Sequence, residues 1–148
     1  MSQITTSTAA SSSRGIRVVG MIVAVVGAIF LVAGIATYAT VSSTLADQKI
    51  TVSDDAAHFA GKQVKGPFTA YAQADVINKH ALEIGGGKTY AELPQDDPNR
   101  DTVMTASFLQ ASLFTSVVAF GVAAFVAVMG VILMMLGWVL LRLTRRTT

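Results

Sequence analysis

Hydrophobic positions in this chain fall into two long stretches separated by a mixed middle. No charged residue lies between Arg17 and Asp47, and none lies between Asp101 and Arg142. The first stretch is dominantly apolar from Val18 to about Ala39, a run of 22 residues. As a helix it would measure about 33 Å, against a bilayer hydrocarbon core of about 30 Å. The pattern predicts a first transmembrane helix over 18–40. A cleaved signal peptide is the alternative, because the small residues Ala36 and Ala39 follow the run. Its apolar region would normally be about 7–15 residues, shorter than this one.

The second stretch, 102–141, holds 40 residues. As one helix it would be about 60 Å long, twice what a bilayer core needs. Its halves differ. Thr102, Thr105, Ser107, Gln110, Ser112, Thr115 and Ser116 punctuate the first half, whereas Val117–Leu141 contains no Ser, Thr, Gln or Asn. The expectation is one long helix over 102–141 that crosses the membrane from about residue 118 and projects into water before it.

Between the stretches, Ala70, Ala74, Ile77, Ala81 and Ile84 recur at spacings of four and three, one face of a helix. Pro67 is pre-set for a first turn, and Gly85, Gly86 and Gly87 end the pattern. A helix over about 67–84 is predicted. Thr89 and Glu92 fit a capping box before Pro94, which implies a single turn there. Asp97–Pro98 reads as the start of the long second helix. Residues 1–17 form a Ser/Thr-rich N-terminal tail, and its first 13 residues cannot bury enough by themselves to become ordered. Residues 142–148 are a basic C-terminal tail.

Composition agrees with the pattern. Of 148 residues, 52% are hydrophobic and 14% charged, where a soluble domain carries roughly a quarter charged. A large soluble enzyme and a coiled coil are excluded. The absence of cysteine excludes disulfides, zinc–thiolate sites, iron–sulfur clusters and thiol catalysis. The net charge of +2 conceals an asymmetry. All nine acids lie within 47–101 beside six Lys/Arg, while the tails carry Arg14, Arg17, Arg142, Arg145 and Arg146 and no acid. The basic balance therefore belongs to membrane-edge arginines, and no nucleic-acid surface is implied. By the positive-inside rule both tails are expected in the cytoplasm of a bacterial plasma membrane, with segment 41–101, and 47–101 in particular, extracytoplasmic. Trp138 and Tyr38 are expected to anchor the inner and outer interfaces.

Small residues mark how the spans would meet. Gly20, Gly27 and Gly34, with Ala24 beside them, recur every seven residues in the first span. Ala123, Gly130 and Gly137, with Ala127, do so in the second. A repeat of seven keeps one stripe facing a left-handed neighbour, and small residues allow the close backbone approach that holds helices together in lipid. The stripes match in antiparallel register, Gly20 with Gly137, Gly27 with Gly130 and Gly34 with Ala123. The fold class expected is therefore an all-α membrane protein: an antiparallel hairpin of two transmembrane helices with a small helical extracytoplasmic segment. Chance recurrence of common membrane residues, or packing of either stripe on another subunit, are the rival readings.

The outer half of the second helix carries a narrow polar ridge of Thr102, Thr105, Ser112 and Ser116. The rest of its surface is apolar, with Met104, Phe108, Leu109, Leu113 and Phe114 as the candidate partner surface. The helix at 67–84 and an extension of the first span through 40–46 can cover part of that area. Another membrane subunit, or a second copy of this chain, would cover the remainder.

Candidate chemistry is sparse. His58, His80 and Glu83 could be imagined as a two-histidine, one-carboxylate iron site, but two histidines without a visible pocket read better as ordinary surface residues. Asp54–Asp55 and Asp96–Asp97 lack the spacing of a calcium loop. Gly85–Gly87 with Lys88 lacks the frame of a phosphate loop. Neither span contains Asp, Glu, Lys, Arg or His, which argues against a pump, transporter or proton channel. No catalytic residue, cofactor or metal ligand is assigned.

The stretch TAYAQADVINKHALEIGGGKTYAELPQDDPNRDTVMTASFLQASLFTSVVAFG, with KITVSDDAAHFAGKQVKGP before it, resembles a family of small two-span actinobacterial membrane proteins of unknown function. With both spans the resemblance covers about residues 15–142. Members often carry the label of an aromatic ring-opening dioxygenase small subunit, which two membrane spans and the lack of a credible iron site do not support. The resemblance implies a bacterial plasma-membrane location and supplies no site residues. The function expected is that of a non-enzymatic accessory or scaffolding subunit of a larger membrane complex, with a respiratory assembly one possible host that nothing in the sequence selects. The alternatives are a self-associating envelope scaffold and an extracytoplasmic metal- or ligand-binding sensor.

Overall fold

The computed structural model describes residues 8–145, with side chains from Arg14 to Thr144. Residues 1–7 and 146–148, Arg146 among them, lie outside the described residues, as do the side chains of 8–13 and of Arg145. The described chain is all-helical: α1 spans Thr8–Asp47, α2 Pro67–Ile84 and α3 Arg100–Arg145. α1 and α3 are long and apolar enough to cross a membrane.

α1 exceeds its apolar run at both ends. The backbone is already helical from Thr8, inside the Ser/Thr-rich tail whose own burial cannot order it, and it remains so to Asp47. Elongating an existing helix adds one hydrogen bond per residue without a new nucleation cost, so Ala- and Ser-containing flanks can follow an apolar nucleus. α2 occupies the range its spacing predicts. Pro67 opens it, and the Gly66 N–H donates to the Thr69 hydroxyl at 3.2 Å. At its far end the N–H groups of Gly85 and Gly87 bond back to the carbonyls of Ala81 and Leu82. Gly86 and Gly87 take φ of 64° and 83°, a backbone region that side-chain-bearing residues adopt at a cost.

α3 begins two residues later than Asp97–Pro98 would place it. Asp97 Oδ1 accepts the Asn99 N–H at 2.8 Å, a local turn that competes with helix, and the first helical bond runs from the Val103 N–H to the Asn99 carbonyl at 3.0 Å. The Asn99 side chain turns away and donates to the Ile84 carbonyl at 3.2 Å, capping α2 instead. Arg100 donates to the carbonyls of Tyr90 and Leu93, and its guanidinium lies 4.3 Å from the Tyr90 ring centre. The Thr89–Glu92 pair forms, with Glu92 accepting the Thr89 N–H at 2.8 Å. That charge-assisted contact holds the Glu92 carboxyl below its ordinary range.

The chain divides into two compact units, one built from α1 up to Ala36 with α3 from Ala123 onward, the other from Thr37–Val122. In the second unit, a short antiparallel pairing joins 50–52 to 62–64, with the Val52 N–H on the Lys62 carbonyl and the Val64 N–H on the Ile50 carbonyl, both at 2.8 Å. Val52 and Val64 point inward and are buried with Ala70, Ala74, Leu45, Leu113 and Phe120. A segment of this size is marginal for a core of its own. It completes one by packing on the adjoining turns of α1 and α3. Gln73, buried on α2, accepts the Ser53 N–H at 2.9 Å and so satisfies a donor where the pairing ends.

Candidate functional site

Three surfaces bear on function: the line where α1 meets α3, the outward face of α3, and the polar cluster around His80. Along the first, Gly20, Gly27, Gly34, Ala123, Gly130 and Gly137 are buried, and Ala24 and Ala127 are half-buried. The approach is backbone to backbone. A methyl group placed on Gly27 would stand 2.7 Å from the Gly130 carbonyl oxygen, and one on Gly130 would stand 2.5 Å from the Leu31 nitrogen. On Gly34 it would meet the Ala127 nitrogen at 2.6 Å, and on Gly137 the Ala24 nitrogen at 2.7 Å. Gly20 is looser, its nearest neighbour being the Leu140 Cβ at 3.0 Å. Separations this short leave no room for a side chain and bring Cα–H groups onto facing carbonyls, a contact suited to surroundings without water. Gly121 lies off this line, with nothing within 4 Å of a Cβ.

The outward face of α3 is only partly covered. Leu113 was expected on the partner surface but is buried at 6% exposure. It faces Leu45 and the Val52–Val64 pairing, because α1 continues far enough to reach it. Val103 is likewise buried, packed with Ala81 and Leu93. Met104 is half-buried. Phe108 and Leu109 remain 66% and 50% exposed, and Phe114, at 37%, leans on the Tyr71 ring with centres 5.8 Å apart. Between α2 and α3 runs a shallow groove of about 490 Å³, walled by Ile77, Ile84, Ala106 and Leu109, with His80 and Asp101 on its lining. The hydroxyls of Thr105, Thr115 and Ser116 on α3 each donate to the carbonyl four residues back, which removes their need for water.

His80 Nε2 lies 2.7 Å from Asp55 Oδ2, and Lys79 Nζ lies 3.8 Å from the same oxygen. The His80 hydrogen bond holds the Asp55 carboxyl below its ordinary range. His58 lies against the Phe59 ring with centres 6.4 Å apart. The imagined trio is thus dispersed, and among the described residues no three His, Asp or Glu side chains group to hold a metal ion. The aspartate partner of His80 was hidden in the sequence by a separation of 25 residues.

Of the residues expected as interface anchors, Arg14, Arg17 and Arg142 are exposed. The Arg142 guanidinium sits 4.0 Å over the Trp138 ring, a cation–π contact between residues four apart on one helix face. Tyr38 packs on Phe120 with ring centres 4.7 Å apart. Two exposed aromatics at the start of α2, Phe68 and Tyr71, were not singled out by the sequence pattern. Their signal was an aromatic pair at i, i+3 on the face opposite the alanines. No protein-family model, no curated protein and no solved structure matches this chain.

Proposed function

We propose that this chain is a two-span helical hairpin of a bacterial plasma membrane, with both termini cytoplasmic and residues 47–101 outside. Its role is that of a non-enzymatic accessory or scaffolding subunit of a larger membrane complex. The backbone-close line of Gly20, Gly27, Gly34, Ala123, Gly130 and Gly137 supports the hairpin, since such stripes supply contact energy where the hydrophobic effect does not. The tail arginines support the orientation. The observation that carries the functional reading is the bare apolar patch of Phe108 and Leu109. Phe108 lies nine residues before Val117, where the run without polar side chains begins, about 13 Å along α3 and too far out for lipid to cover. A second protein surface covers it.

The test is gentle detergent extraction followed by native mass measurement, on the wild type and on a Phe108→Ser, Leu109→Ser variant. The expected result is a wild-type assembly containing unrelated subunits, lost in the variant while the chain stays folded. A ladder of single-chain multiples, also lost in the variant, would replace this reading with self-association. A monomer carrying only lipid, identical in both, would overturn both readings.

A further inference from the structure

Phe68 is the most exposed large apolar side chain among the described residues, at 74%, and Tyr71 beside it is 54% exposed. α2 packs antiparallel to α3. Tyr71 lies against Phe114, and fifteen residues back, just before α3 begins, the Asn99 amide reaches the Ile84 carbonyl at the other end of α2. Stepping three residues from Tyr71 to Phe68 matches the step from Phe114 to Val117, about 4.5 Å along the axis. Phe68 therefore stands level with the point where α3 sheds its last polar side chain, Ser116, about 5 Å along the helix axis from the level of Phe120. The neighbouring α3 residue Val118 is 65% exposed. On the α1 side, the Ser42 hydroxyl donates to the Lys65 carbonyl at 2.7 Å, fixing the entry to α2 about 6 Å past Tyr38.

We propose that the N-terminal tip of α2, through Phe68 and Tyr71, is a third membrane contact, seated in the headgroup–acyl boundary of the outer leaflet. This rests on the two-span reading and adds to it. Side chains on a helix lean toward its N-terminus, so Phe68 and Tyr71 lean toward the bilayer while the α3 side chains lean away. The headgroup region is about 5–7 Å deep on each side, which reaches Phe68 and Tyr71 and stops well short of Phe108. Charge is sorted along the same axis. Lys65 precedes the tip, where its ammonium can meet lipid phosphate. The acids on the helices stand further out: Asp75 one turn above Tyr71, Asp47 about 13 Å past Tyr38, and Asp101 about 28 Å from Phe120. Asp55 is held at His80, further still along α2. An aromatic tip with a cation and no acid beside it has the composition of an interfacial anchor.

Tryptophan quenching tests this in vesicles of phosphatidylcholine and phosphatidylglycerol whose acyl chains carry bromine near the headgroup. Phe68→Trp, Tyr71→Trp and Ile84→Trp are each made in a Trp138→Phe background, beside the wild type with its single native tryptophan. The expected result is that the tryptophan at 68 or 71 loses most of its emission to brominated lipid and is shielded from aqueous iodide. The tryptophan at 84, about 24 Å along α2 from residue 68, should behave the opposite way. Emission at 68 and 71 untouched by bromine overturns the proposal, whether iodide reaches it (a tip in water) or not (a tip covered by protein). Native Trp138 separates the two levels of the reading. If it is quenched by the bromolipids and residues 68 and 71 are not, the third contact alone falls. If Trp138 too escapes quenching, the two-span reading falls with it.

Discussion

Replacing Gly130 with leucine is expected to force the two long helices apart. The atoms a new Cβ would meet are the Leu31 nitrogen at 2.5 Å and the Gly27 carbonyl oxygen at 2.6 Å. Backbone atoms cannot rotate away as a side chain can, so relief requires moving a whole helix. Overpacking a fitted site costs about 1–3 kcal/mol, and this position lies at the upper end because both clashes are with main chain. Gly27→Leu should behave similarly, as its Cβ would stand 2.7 Å from the Gly130 carbonyl oxygen and the Met134 nitrogen. The double variant should cost less than the two singles together, since the second leucine enters a gap the first has opened. Gly121→Leu is the control, with no neighbour within 4 Å, and should stay within about 0.5 kcal/mol of wild type. Denaturant titration in mild detergent, followed by helicity, reads all four. Equal stability of Gly130→Leu and Gly121→Leu would show that the helices do not meet where the glycines lie.

The second large effect belongs to Phe120. It is 1% exposed, the largest of the fully buried side chains, and its ring lies 4.7 Å from that of Tyr38. Phe120→Ala removes a ring that also packs in the core holding Val52, Val64 and Leu113, and should cost about 3 kcal/mol or more. Phe125, five residues on, is 63% exposed, and Phe125→Ala should leave the same titration nearly unchanged. If the two alanine variants lose similar stability, Phe120 does not organise the core it shares with Val52, Val64 and Leu113.

The parts of this fold that follow from local chemistry were readable before any coordinates. Pro67 and the glycines 85–87 bracket α2 because Pro67 presets φ and Gly86 and Gly87 adopt a left-handed backbone. The two long helices follow from uncharged length alone. What escaped the sequence depends on contacts between distant segments. Leu113 looked like open surface because, although an extension of α1 through 40–46 was expected to cover part of α3, nothing local says which residues it covers or that Val52 and Val64 fold inward against Leu113. Asp55 and His80 are separated by a loop and most of a helix. Asp97–Pro98 reads as a helix start two residues early because the competing Asx turn onto Asn99 cannot be told from an N-cap by residue type. Phe68 and Tyr71 drew no notice because an aromatic off the alanine face has meaning only once the level of α2 against α3 is known.

Sidedness tests the central claim most directly, and a chain without native cysteine makes the measurement clean. One cysteine is placed at Asp96, exposed in the turn before α3, and in a second variant one is placed at Thr147. Intact cells are treated with a membrane-impermeant maleimide. Two crossings with the acidic middle outside require labelling at 96 and none at 147 until the cells are opened. Labelling at 147 but not at 96 in intact cells would invert the topology, and labelling at both sites, or at neither, before lysis with both reactive after it would contradict the hairpin itself.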